Sequence, residues 1–118
     1  MHRFKDLEIW KLSRQFCTQI YATTSNFPDD EKFGLTNQLR RASVSIPSNI
    51  AEGCSRSSNK DFSRFLEISI GSTYEIETQL LIAFDLGYIN QDKLDELSTD
   101  LNKIIKMISK FRSSLGIQ

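Results

Sequence analysis

Five cations near the middle of the chain are the residues whose type and spacing best suit a chemistry. Arg40, Arg41, Arg56, Lys60 and Arg64 flank a small polar stretch, and Lys60 and Arg64 share one helical face at i and i+4. Such a grouping suits phosphate oxygens, helped by the backbone amides of a helix N-terminus that opens beside it. The ligand class expected from it is RNA held by its backbone, since no aromatic is interleaved for base stacking. The competing expectation is that Arg41 pairs with Glu52, Glu75 or an acid of a neighbouring copy while Lys60 and Arg64 stay solvated.

Other chemistries find less to work with. His2 is the only histidine and precedes the first predicted helix, so Glu67, Glu75 and Glu77 lack the Glu-x-x-His motifs of a di-iron bundle. The serines have no helix-borne histidine beside them to serve as base. The 53–59 stretch has neither GxxxxGK[ST] nor GxGxxG spacing. Cys17 and Cys54 form no CxxC pair, and Cys17 is expected as a small buried hydrophobe. The prediction is therefore no catalytic residue, no metal, no cofactor, no small-molecule substrate and no enzyme, with Met1 to Arg3 as a loose terminus.

A chain of 118 residues makes one domain, 1–118, large enough to bury a core without disulfides. Fifteen basic and fifteen acidic residues cancel, so no global field draws it to nucleic acid or to an anionic membrane. The charges are segregated nonetheless. Residues 1–64 hold ten basic and seven acidic groups, 65–102 one and eight, and 103–118 four and none. One copy can thus offer complementary surfaces to its own helices or to another copy. With no signal peptide and no apolar run of membrane-spanning length, the expected setting is the cytosol, with both thiols reduced and no membrane partner.

Hydrophobic periodicity supplies the elements that position these groups. Apolar residues at three- and four-residue intervals predict helices over approximately 5–25, 31–55, 60–86 and 91–115. Pro28 stops the first, with Asp29 or Asp30 capping the second. Ser58 or Asn59 caps the third, Gly87 ends it, and Asn90 caps the fourth. The third helix is expected to bury Phe62, Phe65, Leu66, Ser69, Thr73, Ile76, Leu80 and Ala83. Its small residues Ser69, Gly71 and Ser72 should let helix two approach at Ala42, Ser43 and Ser45. The fourth carries an unbroken seam from Leu94 to Leu115. Four amphipathic helices with short polar links give an all-α fold, an antiparallel up-down-up-down four-helix bundle.

Helix two organises the rest. Leu35, Leu39, Ala42, Ile46, Ile50 and Gly53 fall in one arc at 100° per residue. A neighbouring polar stripe, Gln38, Arg41, Ser45, Asn49 and Glu52 with Ser48 beside them, is expected to be packed against something, fixing register between helices or copies. Pro47 either breaks the helix at Ile46 or kinks it with the freed carbonyls met by Ser43, Ser45 or Ser48; the phase of Ile50 and Gly53 favours the kink. Helix one, and helix three through Ile70, Tyr74, Leu81 and Phe84, carry more apolar surface than one bundle hides, which predicts self-association.

The run Leu35-Thr-Asn-Gln-Leu-Arg-Arg-Ala-Ser-Val-Ser-Ile-Pro-Ser-Asn-Ile-Ala-Glu-Gly53 resembles the signature of the small four-helix-bundle proteins first recognised in intervening sequences of bacterial 23S ribosomal RNA genes. Phe4-Lys-Asp-Leu-Glu-Ile-Trp10, Phe62-Ser-Arg-Phe-Leu-Glu-Ile-Ser-Ile-Gly-Ser72 and Tyr74-Glu-Ile-Glu-Thr-Gln-Leu80 agree with it. The resemblance implies a bundle that forms ring-like homopentamers, with no settled activity. It implies as an alternative an RNA-binding accessory acting on ribosomal RNA or beside a reverse transcriptase, so the partners expected are copies of itself and, alternatively, RNA or a nucleic-acid-processing protein.

Overall fold

Wherever apolar residues recur at helical spacing the backbone is helical: α1 (Glu8–Thr24), α2 (Leu35–Cys54), α3 (Asn59–Asp85) and α4 (Gln91–Ser114). These come from a computed structural model that describes residues 2–116; Met1, expected as loose, lies outside them. Cross-helix contacts fix the direction of each element. Along α2 and α3, Gln38 meets Gln79, Ser45 meets Ser72 and Ile46 meets Ser69, so the two run antiparallel. Arg40 reaches back to Tyr21 and Thr24 on α1, and Arg112 on α4 reaches Ser63 on α3. α1 also packs on α4, which closes an up-down-up-down bundle around one core that includes Ile20, Leu39, Ile46, Leu66, Leu80 and Ile108.

The helix ends follow their local chemistry. Ser58 Oγ accepts from the Asp61 amide at 3.1 Å, and Asn90 Oδ1 from the Lys93 amide at 2.8 Å, each meeting one of the donors a helix start leaves open. Gly87 takes φ +80°, where only glycine is unstrained. It donates to Phe84 O while the Tyr88 amide reaches Ala83 O, a Schellman closure.

α2 starts at Leu35 and not near residue 31, and the reason is Glu31. The chain first makes a 3₁₀ turn at Asp29–Glu31. Glu31 Oε1 then accepts from the Leu35 amide at 3.1 Å, and its Oε2 accepts from the Tyr88 hydroxyl at 2.9 Å. The Leu35 amide bond, and then Tyr88, hold the Glu31 carboxyl below its ordinary value, while the same carboxylate holds the Tyr88 hydroxyl above its own. A carboxyl depressed by folding adds stability above its unfolded pKa and loses it as pH falls through the folded one. We therefore expect the stability difference between the parent chain and Glu31→Gln to be present at neutral pH and to vanish below the ordinary range of a glutamate, read from urea midpoints across pH. A difference that stays constant through acid would remove the carboxylate from that role.

Other details depart from expectation in instructive ways. α1 begins at Glu8, after a separate 3₁₀ turn at Phe4–Asp6. Phe65 is half-buried, its ring covered by the Arg56 guanidinium at 4.6 Å. Ile70 and Phe84 pack against the core and are not surplus surface. Gly71 points outward, with nothing within 4 Å of where a Cβ would stand. Ser43 faces α1, its Oγ 3.5 Å from Cys17 Sγ. His2 is set edge-on against Phe62 and Phe111 at 5.7 and 5.3 Å. Cys54 is buried, and that burial pushes its thiol up; no helix among the described residues is long and apolar enough to cross a membrane.

Candidate functional site

The seam between α2 and α3 is built from small residues, and its polar edge is what the molecule presents. At one end Gly53 lies so near Phe62 that a Cβ would stand 2.6 Å from the ring. Two turns further, Ser69 Oγ donates across the seam to Ile46 O at 2.9 Å. Next, Ser72 Oγ donates to Ser45 Oγ at 2.8 Å, and Asn49 Nδ2 donates to Ser45 O and Oγ at 2.8 and 2.9 Å. These hydroxyl contacts replace apolar bulk, which is why the two helices can approach closely.

Outside that line the expected stripe opens to solvent. Ser45 and Asn49 are half-buried, whereas Gln38, Arg41, Ser48 and Glu52 are exposed. Toward the far end the seam widens into a shallow groove of about 400 Å³ bordered by Gln38, Arg41, Ser45, Ser72, Glu75 and Gln79. Arg41 has no carboxylate within 4.0 Å among the described residues, and Glu52 is taken by Arg56 at 3.1 Å. Gln79 Nε2 makes only a long 3.5 Å bond to Gln38, and its buried Oε1 has no partner among the described residues. An amide oxygen left so costs about 1–3 kcal/mol.

The five cations do not share one place. Arg40 is locked to α1, with Nε 2.8 Å from Thr24 Oγ1 and its guanidinium 4.5 Å over the Tyr21 ring. Arg56, Lys60 and Arg64 lie where α2 meets α3, and the fourteen residues of α2 from Arg40 to its end at Cys54 put that junction roughly 21 Å away along the axis. Arg41 stands apart again, on the groove. The outer flanks of α3 are apolar beyond Tyr74 and Leu81, which the spacing already marks as surplus surface. Ile68, Ile82 and the cap Leu86 fall beside α2 by their spacing, and Tyr74 and Leu81 on the opposite flank; all are exposed, Tyr74 by 62% and Leu86 by 54%.

A family model described as "23S rRNA-intervening sequence protein" matches residues 5–110. The chain belongs to that family. Its fold is shared by the crystal structure of a protein of unknown function from the S23 ribosomal protein family of Bacteroides thetaiotaomicron. That chain is 24% identical, with a TM-score of 0.79 over 88% of this chain and 97% of the other. No protein of curated function matches. Among proteins of the 23S rRNA-intervening sequence family, then, this one has a fold in common with a solved relative of unknown function, and nothing in these likenesses points to an enzyme family.

Proposed function

We propose that the protein is a non-enzymatic cytosolic scaffold that acts as an assembly of its own copies, a homopentameric ring as the family resemblance implies. The observation that carries this is the row of exposed apolar side chains on both flanks of α3, Ile68, Ile82 and Leu86 on one side and Tyr74 and Leu81 on the other. One bundle needs only one buried stripe per helix, and the surplus favours a covering surface. The seam's polar edge supports the same reading. A neighbouring copy that brought an acid to the exposed Arg41 would pair that cation and fix the register at once.

Light scattering at rising concentration tests it. The expected mass is five times the 13.6 kDa of the chain, and a chain that stays single throughout would sink the proposal. Asn49→Leu should lower that mass, because an apolar side chain beside Ser45 leaves a covering copy's polar groups unpaired. A variant that assembles and melts like the parent would take the polar stripe out of the contact.

A further inference from the structure

Side-chain charge sorts along the 43 Å axis of the bundle. At the end where α2 meets α3, which also holds the first 3₁₀ turn and the close of α4, the carboxylates among the described residues are already paired. Asp6 and Glu8 are held by Arg3 and Lys11 at 3.7 Å each, Glu52 by Arg56 at 3.1 Å, Asp61 by Arg64 at 3.9 Å, and Glu67 by Arg112. Lys5, Lys60 and Lys110 remain, with no carboxylate within 4.0 Å among the described residues. Three surplus cations thus come from three separate segments. The opposite end reverses the sign: Asp29, Asp30, Asp85, Asp92 and Asp95 have no cation partner among the described residues, and only Lys93–Glu96 is formed, at 3.0 Å.

The basic end also gathers the aromatics that the sequence keeps apart. His2 is exposed and leans on Phe62 and Phe111, and Phe4 packs on Trp10 at 5.2 Å. Between His2, Arg3, Phe4 and Lys5 on one side and Cys54 and Ser55 on the other lies a shallow cavity of about 360 Å³, within the range of small-ligand clefts. An aromatic wall beside unpaired cations suits an unstacked base with phosphates on either side. A duplex hides its bases from such a wall, and an anionic membrane would ask for an apolar face rimmed by cations.

We propose that this end binds single-stranded nucleic acid, one base entering the cavity against His2 and Phe4 while Lys5, Lys60 and Lys110 take phosphates. The proposal stands on the single chain and does not rest on self-association. Fluorescence anisotropy with labelled single-stranded RNA and DNA 12-mers tests it and separates the two sources. Three neutralised phosphates at a slope of about −0.7 each predict binding about 20-fold weaker at 200 than at 50 mM salt. Lys5→Glu/Lys60→Glu/Lys110→Glu should lose more than tenfold, Arg41→Ala should lose nothing, and His2→Ala should lose at least fivefold with an unchanged salt slope. No binding by the parent chain at low salt would overturn the proposal. So would binding lost on Arg41→Ala but kept by the triple variant, an unchanged His2→Ala, or equal binding of duplex or of phosphatidylserine vesicles.

Discussion

Gly53→Val is expected to destabilise the bundle by about 3 kcal/mol, the upper part of the range for overpacking a filled core. An added Cβ would stand 2.6 and 3.0 Å from two ring carbons of Phe62 and 3.1 Å from Phe65 Cβ. Phe62 is itself buried against Phe111 and His2, so its ring has nowhere to turn and the helices must part. Gly53→Ala should lose less, because alanine regains up to about 1 kcal/mol of helix propensity. Gly71 is the control. It is exposed in mid-helix with open space around it, and Gly71→Ala should stabilise by about 0.5–1 kcal/mol. Urea midpoints decide both, and equal effects at the two glycines would show that the close approach at Gly53 is not a constraint.

Pro47→Ala is the second large effect, with the opposite sign. α2 runs unbroken through Pro47, although proline denies the Ser43 carbonyl its usual donor. None of the serines expected to make good that loss bonds the Ser43 carbonyl. Ser43 Oγ donates to Arg40 O at 2.9 Å, Ser45 Oγ meets Ser72, and Ser48 is exposed. Of the roughly 3 kcal/mol that proline costs in a helix interior, some returns as packing of its half-buried ring. Alanine should therefore stabilise the chain by about 1–2 kcal/mol. If the proline shapes the face that copies share, the same variant will show a lower mass in solution. A Pro47→Ala chain that is less stable than the parent would mean that its ring, and not its missing donor, governs this turn.

The course of the four helices was legible in the chain because their apolar residues keep step with the helical period, and because Ser58, Gly87 and Asn90 act through local geometry alone. What periodicity does not carry is direction around a neighbour. Gly53 and Gly71 read alike as small residues, but Gly53 stands in phase with Leu39 and Ile46 on α2 and so meets α3, whereas Gly71, on α3 itself, faces away from the core. Likewise the stretch from Arg40 to Arg64 looks like one basic cluster when written out in a line. The rise of α2 then carries Arg56 about half the bundle's length from Arg40, and α1 claims Arg40 for itself. His2 gave no signal, since its place depends on Phe62 and Phe111, which lie 60 and 109 residues away along the chain. The late start of α2 turned on a contact between links: Glu31 caps Leu35 while Tyr88 holds it in place.

The opposed signs of the two ends have a source that the fold itself does not supply. Neighbouring helices run in opposite directions, so their macrodipoles largely cancel, and the imbalance is carried by solvated side chains alone. Lys5, Lys60, Lys110 and the unpaired aspartates are all exposed and take no part in the α2–α3 seam. Either end can therefore be recharged, silenced or exchanged by substitution while the interior is left alone, so one rigid body plan could be fitted to unlike partners by rewriting its tips.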